Sequence, residues 1–370
     1  MPRISVLLSS LNHAKFVAEA IQSVLDQTFT DFELIIIDDC SDDDSWNVIQ
    51  RFRDPRIRTF RNAERRRGAA GFNDAIRSLA QGEYVAIHHS DDRFVPAKLE
   101  KQVDFLDAHP EIGAVFSRVQ LIDENGAPFE ESGHHYTKVF DQPNRSRHEW
   151  LHRFFYQGNC LCHPSALIRK ECFSKAGPYD RRFGQAGDLD MWVRLAMHYE
   201  IHVLEEPLVQ FRIRDNEANE SGNRPESHIR GRLEWVQILK RYLAIKGEAD
   251  FFRIFPEASA EAIAGGNNLP FLLARQALRN GQDVQQAFGI GVLYDLMQEP
   301  ATVAELEAKY GFTYLDLISL AGDCDIFRMR QTLALQETHN RLKNELERVT
   351  STLSWRFTKP FRFFGKLFRS

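Results

Sequence analysis

The feature that most constrains this chain is an alternation over residues 4–116, where short apolar runs are followed by stretches with helical spacing. The runs are residues 4–9, 32–37, 57–60, 84–87 and 113–116. Apolar runs of that length, bounded by turn residues, read as buried strands. Between them, Val17, Ile21, Val24 and Leu25 fall on one helical face, and Trp46, Ile49 and Phe52 mark the inward side of residues 45–52. Residues 71–79 and 96–108 read as further helices. Parallel strands need long crossovers, so this alternation predicts an α/β fold: a mostly parallel sheet with helices on both faces. In such sheets ligands bind outside the carboxyl ends of the strands. Two predicted strands lead there into acidic pairs, Asp38 with Asp39 and Asp91 with Asp92.

Carboxylates at a strand end attract a hard divalent cation that bridges substrate phosphates. They also accept hydrogen bonds from a base N–H or a ribose hydroxyl. Against this, Asp is common in turns and caps, and Ser41 or Asp42 suits the cap of the next helix. One pair alone would carry little; two at equivalent strand ends point to a site. Composition narrows the classes. Forty-seven basic against 52 acidic residues give a net charge of −5, which argues against a globally basic nucleic-acid binder. A 43% hydrophobic and 27% charged chain of 370 residues is globular, with room for two domains or one with an appendage. No stretch approaches the roughly 20 apolar residues that span a bilayer, and the N-terminus reads as a first strand rather than a signal peptide. Cys40, Cys160, Cys162, Cys172 and Cys324 are too scattered for a disulfide scaffold, so a reducing cytosol is expected. His88, His89 and His163 lack zinc-ligand spacing.

Three ordered blocks carry a family resemblance: PRISVLLSSLNHAKFVAEAIQSVLDQTFTDFELIIIDDCSDDDSW, GEYVAIHHSDDRFVPAKLEKQVDFL and HPSALIRKECFSKAGPYDRRFGQAGDLDMWVRLA. Together they resemble inverting nucleotide-sugar glycosyltransferases of family two, with the GT-A fold, over residues 1–215. The resemblance implies a mostly parallel GT-A sheet followed by a helical C-terminal region. It implies that Asp39 bonds the nucleotide base, that Ser9 and Leu11 line the base pocket, and that Asp91 contacts the ribose or the metal. It further implies that Asp92 coordinates Mn²⁺ or Mg²⁺ against the diphosphate and that Asp188 is the general base. Direct displacement at an anomeric carbon needs such a base for the acceptor hydroxyl and positive charge on the departing diphosphate. Four positions depart from the family pattern: Leu11 where an aromatic is common, His89 where an Asp is common, Gly187 before Asp188, and Arg212 to Arg214 where a histidine is common. An arginine there suits the diphosphate and equally suits a solvated loop; Arg214 is taken as a donor-side residue. The basic run from Arg65 to Gly68 has the same two readings. Asp190 is expected to play a structural part beside Arg194, one turn on.

The expected domains are residues 1–225, the glycosyltransferase domain; 226–330, helical; and 331–370, a helix or short coiled coil with a basic tail. Leu335, Leu342, Leu346, Val349 and Leu353 recur at spacings of three, four and seven, which suits either a second copy of the chain or packing on the body. The ending SWRFTKPFRFFGKLFRS, residues 354–370, joins five basic residues to aromatics with no acid. That composition fits an interfacial membrane helix better than a docked one, and the ending resembles that of many bacterial polysaccharide glycosyltransferases. The expected partners are a nucleotide-sugar donor, with a UDP-sugar the expected class, and a saccharide or lipid-linked saccharide acceptor at the inner face of the cytoplasmic membrane. Two other classes compete: a nucleotide-binding relative with a regulatory or scaffold role, favoured by His89 and Leu11, and a nucleotidyltransferase. The last would carry a glycine-rich phosphate loop after the first strand, and LLSSLNHAKF has no glycine.

Overall fold

The computed structural model describes residues 1–66, 70–130, 134–279 and 282–351. The chain forms two compact units, Met1–Leu296 and Met297–Ser370. In the first, eight strands build one sheet: β1 Ile4–Ser10, β2 Phe32–Asp38, β3 Ile57–Arg61, β4 Tyr84–His89, β5 Arg93–Phe94, β6 Ile112–Ile122, β7 Leu167–Arg169 and β8 Glu200–Arg212. Their order is β3-β2-β1-β4-β7-β6-β8-β5. β1 to β4 are mutually parallel, and β6 with β8 is parallel too, while β7 and β5 join antiparallel. The sheet is therefore mixed but mostly parallel, as the alternation predicts.

β1 to β3 run outward in one direction, and the chain then returns to place β4 on the other side of β1. That reversal is the topological switch point, where a crevice opens at the strand ends. Helix Val17–Leu25 buries Val17, Ala20, Ile21 and Val24 against the sheet, the stripe its spacing predicts. β2 is buried at all seven positions, Glu33 and Asp38 included, which requires cover on both faces. Residues 71–79 form a short helix, Ala70–Asp74, that widens into a π-helical turn, Ala75–Leu79. Strand β8 escapes the sequence pattern because Glu205 to Pro207 interrupt it on an exposed stretch and its register to β6 is broken nearby.

Helix Pro225–Leu239 buries Ser227, Glu234, Ile238 and Leu239, and Tyr242 follows in the core. Leu233 on the same helix is 65% exposed. Helices Leu269–Arg279 and Asp283–Leu296 complete the first unit. In the second, Pro300–Tyr310 and Tyr314–Asp323 precede the long helix Met329–Ser351. None of that helix is buried, and Leu335, Leu342, Leu346 and Val349 are all exposed. No described helix is long and apolar enough to cross a membrane, and the basic tail at 354–370 lies outside the described residues.

Gly82, in the turn entering β4, shows how tightly β1 and β4 are joined. A Cβ there would stand 2.5 Å from the Ser5 nitrogen, while its own N–H donates to Ser5 Oγ at 2.8 Å. Backbone cannot yield as a flexible side chain does, so Gly82→Ala should lower unfolding stability by about 1–3 kcal/mol. A fall in the urea midpoint with an unchanged slope is the expected result.

Candidate active site

Register brings three strand ends level. Ser10 pairs with Asp38 on one side of β1, and Ser9 with His89 on the other. The loops beyond β1 and β2 clasp each other through residues with left-handed backbone. Asn12 (φ 55°) donates its N–H to Ser41 Oγ at 3.0 Å and accepts from the Asp42 N–H at 2.8 Å. Cys40 has φ 61°, which is uncommon for a residue other than glycine. Ser41 therefore serves this clasp rather than capping the next helix, whose first residue is Ser45.

Each acidic pair divides into a buried and a half-buried member. Asp38 is fully buried and accepts from the Ser41 N–H and hydroxyl, with Arg61 Nε 3.3 Å away. Asp39 is half-buried; its Oδ1 accepts from Asn62 Nδ2 at 2.7 Å and the Arg66 N–H at 2.9 Å, which fixes the carboxylate's orientation. Ser9 and Leu11, both half-buried, flank Ser10, whose carbonyl accepts from the Asp39 N–H at 2.9 Å. Arg65 and Arg66 pair with Asp42 and Asp74, and Arg67 and Gly68 lie outside the described residues.

On the β4 side, Asp92 is 2% exposed. Its Oδ1 accepts from the Arg212 N–H at 2.8 Å, while Oδ2 is buried without a partner. Burial, with Asp91 beside it, pushes the Asp92 carboxyl well up. His89 Nδ1 stands 3.8 Å from Asp92 Oδ2. One donor atom from each of His89, Asp91 and Asp92 lies within 4.8 Å of the others. A buried carboxylate oxygen with no protein donor, aimed into a set of two carboxylates and an imidazole, fits a divalent cation.

The two arginines of the departing segment separate clearly. Arg212 is enclosed: Nε donates to the Asp91 carbonyl, NH1 to the Asp123 and Glu124 carbonyls, and NH2 to Glu19 Oε2. Arg214 lies over the Phe16 ring and donates to His13 Nε2 at 2.9 Å, while its Nε is buried without a partner. Arginine only donates, so His13 accepts at Nε2 and carries its proton on Nδ1, which donates to Ser90 Oγ at 2.8 Å. His13 Nδ1 is also 4.0 Å from Asp91. Arg214 is thus the arginine on the Asp91 side of the crevice.

Asp188 opens helix Gly187–Ala196. Its Oδ2 accepts from Asn159 Nδ2 at 2.6 Å and its Oδ1 from the Leu189 N–H at 2.7 Å. Burial outweighs these bonds and pushes the carboxyl up to about 6. The approach to the helix is held from behind. Glu234, on helix Pro225–Leu239, accepts from the N–H groups of Gly184, Gln185 and Ala186 at 2.9, 2.8 and 2.7 Å. Asp190 is fully buried between Arg194 and Arg241, a structural place. Burial pushes the Cys162 thiol well up, and the charges of Asp92 and Asp188 push it further. His89, His163 and Tyr179 run in a chain beside it, Nε2 to Nδ1 at 3.1 Å and Nε2 to hydroxyl at 2.9 Å.

His13, Asn159, His163, Tyr179 and Glu234 took no site role in the sequence reading. His13, His163 and Tyr179 lie within the three blocks, yet no spacing there marks their bonds, and Asn159 and Glu234 lie outside them; tertiary packing makes these contacts. His88, by contrast, is buried away from the cluster and bonds the Ala20 carbonyl.

The profile described as Glycosyl transferase family 2 matches residues 5–177. An uncharacterized glycosyltransferase of Methanocaldococcus jannaschii is 30% identical over 222 residues, 58% of this chain and 73% of the relative. A UDP-Glc:alpha-D-GlcNAc-diphosphoundecaprenol beta-1,3-glucosyltransferase of Escherichia coli is 34% identical over 107 residues, 29% of this chain and 42% of its own length. Other relatives carry names in teichuronic acid and O-antigen biosynthesis. The crystal structure of S. aureus TarS 1–349 with UDP-GlcNAc superposes with a TM-score of 0.55 at 15% identity, over 85% of this chain and 93% of that one, a likeness of fold.

The raised Asp188 value has a sign that stability measurements can read. An unfolded aspartate ionises near 3.8, and here folding holds the proton to about 6, so ionisation opposes folding as pH rises between those values. Asp188→Asn cannot ionise. Its melting temperature relative to the wild type should therefore rise by a few degrees from pH 4 to pH 7.5. A flat difference across that range would remove the buried-acid account.

Proposed function

The chain belongs to glycosyl transferase family 2, and from that premise we propose that it moves a sugar from a nucleotide-diphosphate donor to a hydroxyl of a saccharide acceptor with inversion. The observation that carries this reading is Asp188 itself: a half-buried carboxylate at the start of helix Gly187–Ala196, raised to about 6, whose charge reaches the same buried Cys162 thiol as that of Asp92. A general base works best with a value near the working pH. In a single displacement it must face the acceptor hydroxyl, opposite the leaving diphosphate, and take its proton as the new glycosidic bond forms.

The other residues take donor-side roles. Asp39, oriented by Asn62 and the Arg66 amide, accepts from the nucleotide base, with Ser9 and Leu11 beside it. Leucine packs on a base without aromatic stacking. His89, Asp91 and Asp92 would hold Mn²⁺ or Mg²⁺, which supplies positive charge against the diphosphate when bound. Arg214, half-buried over Phe16, adds a guanidinium on the same side. Arg212 has no such part, since it is 1% exposed and each of its three guanidinium nitrogens bonds the protein.

Donor class and acceptor follow from likeness rather than geometry. UDP-sugars are the first choice, because the Escherichia coli relative is named for UDP-Glc and the TarS crystal holds UDP-GlcNAc. A diphosphate-lipid-linked saccharide is the proposed acceptor on the same relative's name, in the synthesis of a bacterial cell-surface polysaccharide. Residues 354–370, basic and aromatic, would hold the protein at the inner face of the cytoplasmic membrane. The exposed stripe of Leu335, Leu342, Leu346 and Val349 suits a second copy of the chain.

Two experiments test these roles. Asp188→Asn and Asp188→Ala should lower kcat at least about a thousandfold while UDP affinity stays within about threefold, and the wild-type kcat should climb to a plateau as pH passes about 6. Normal turnover in both variants would remove Asp188 as the base. In a thermal-shift panel of UDP, dTDP, GDP and CMP, UDP with Mn²⁺ should give the largest stabilisation. No shift with any nucleotide would move weight to a regulatory relative without turnover. Deleting residues 354–370 should release the protein from anionic vesicles without changing its melting temperature; unchanged sedimentation would dismiss the tail as the anchor.

A further inference from the structure

His89 stands where a carboxylate is common in the family, so the cluster at the end of β4 offers an imidazole as well as two carboxylates. Three observations bear on what that imidazole does. First, Nδ1 lies 3.8 Å from Asp92 Oδ2, too far for a hydrogen bond yet within the reach of two ligand bonds of about 2 Å each. Second, that same Oδ2 is buried, lacks any partner and belongs to a side chain 2% exposed. A direct His89–Asp92 hydrogen bond would have satisfied it. Third, the far side of the ring is already engaged: Nε2 meets His163 Nδ1 at 3.1 Å, and His163 Nε2 meets the Tyr179 hydroxyl at 2.9 Å.

Metal ligation requires this chain to run from His89 outward, Nε2–H donating to His163 and His163 donating to Tyr179, a direction that imidazole and hydroxyl both admit. That direction leaves the lone pair on His89 Nδ1, facing Asp92. A buried second partner that fixes tautomer and ring plane is the usual companion of a metal-bound histidine. The other imidazole near the cluster does not compete. His13 accepts from Arg214 at Nε2 and carries its proton on Nδ1, the nitrogen nearest Asp91.

We infer that His89 is a nitrogen ligand, through Nδ1, to the cation held with Asp91 and Asp92, and that it biases the site toward first-row transition ions over Mg²⁺ and Ca²⁺. His163 and Tyr179 are positioning residues for that ring. Imidazole favours transition ions, while all-oxygen sets suit Mg²⁺ and Ca²⁺. The inference deepens the donor-site reading and rests on it, since the cation sits where the diphosphate is proposed to bind.

Spin-echo spectroscopy of bound Mn²⁺ tests this without any turnover. Protein carrying ¹⁵N-histidine, loaded with Mn²⁺ and UDP, should show a directly coupled ¹⁵N that a nucleotide nitrogen at natural abundance cannot mimic. His89→Asp should lose the coupling, still bind Mn²⁺, and lower the ratio of Mn²⁺ to Mg²⁺ affinity at least tenfold by calorimetry. The wild-type spectrum stands alone if that variant does not fold. Bound Mn²⁺ with no histidine coupling, or coupling that persists in His89→Asp, would overturn the inference. UDP binding with no cation would overturn it while leaving the nucleotide reading intact. Binding of neither UDP nor Mn²⁺ would overturn both.

Discussion

The crevice depends on one buried guanidinium. Arg212 sits at the end of β8, 1% exposed, and donates to groups on three other segments: the Asp91 carbonyl after β4, the Asp123 and Glu124 carbonyls after β6, and Glu19 on the first helix. Its own N–H donates to Asp92 Oδ1. A buried cation is costly unless it is hydrogen-bonded and paired, and here three carbonyls and a carboxylate take four of the five guanidinium N–H groups. The consequence is geometric. With Oδ1 engaged by β8, the Asp92 carboxylate is turned so that Oδ2 faces the cluster with His89 and Asp91. Arg212 thus works as scaffold, while Arg214 two residues on bonds His13 and keeps its Nε unpartnered.

The same logic explains why each acidic pair contains two residues. A carboxylate that must meet a ligand has to be held without being used up. In the first pair Asp38 does the holding, tied to Ser41 and Arg61, while Asp39 stands half-buried beside it. In the second the roles are reversed in depth. Asp92 is the deeper member and keeps one oxygen unpartnered, while Asp91 stands half-buried by His13. Identical dipeptides at equivalent strand ends therefore do different work, and only the bonds around them reveal which.

That difference marks the limit of the sequence. The parallel core was legible because burial on two faces leaves apolar runs such as Leu34 to Ile37 of β2, and the first helix because its stripe has one period. The acidic pairs were legible because strand ends are where such sheets bind ligands. Strand β8 was not, since Glu205, Glu206 and Pro207 break both period and register, and its partner β6 is recruited from far along the chain. The same holds for the residues around Asp188. Asn159 lies 29 positions away and Glu234 about fifty from the amides it binds, separations that no local pattern encodes. Arg212 and Arg214 looked alike in sequence; burial alone told them apart.

The helical segment after β8 is then part of how the candidate base is placed. Glu234 gathers three successive backbone amides just before helix Gly187–Ala196, and Arg241 pairs with both Asp190 within that helix and Asp180 before it. These bonds reach the segment from two sides and fix the helix's starting turn, where Asp188 lies. A carboxylate at a helix N-terminus is ordinarily stabilised as the anion by the helix dipole. Here burial prevails and the carboxyl is raised to about 6. Keeping it raised requires that water stay out as the helix end meets the strand ends, which demands a rigid approach. Glu234 and Arg241 supply that rigidity from a region whose sequence carries no motif, so the chemistry proposed for the first 215 residues depends on packing contributed by those that follow.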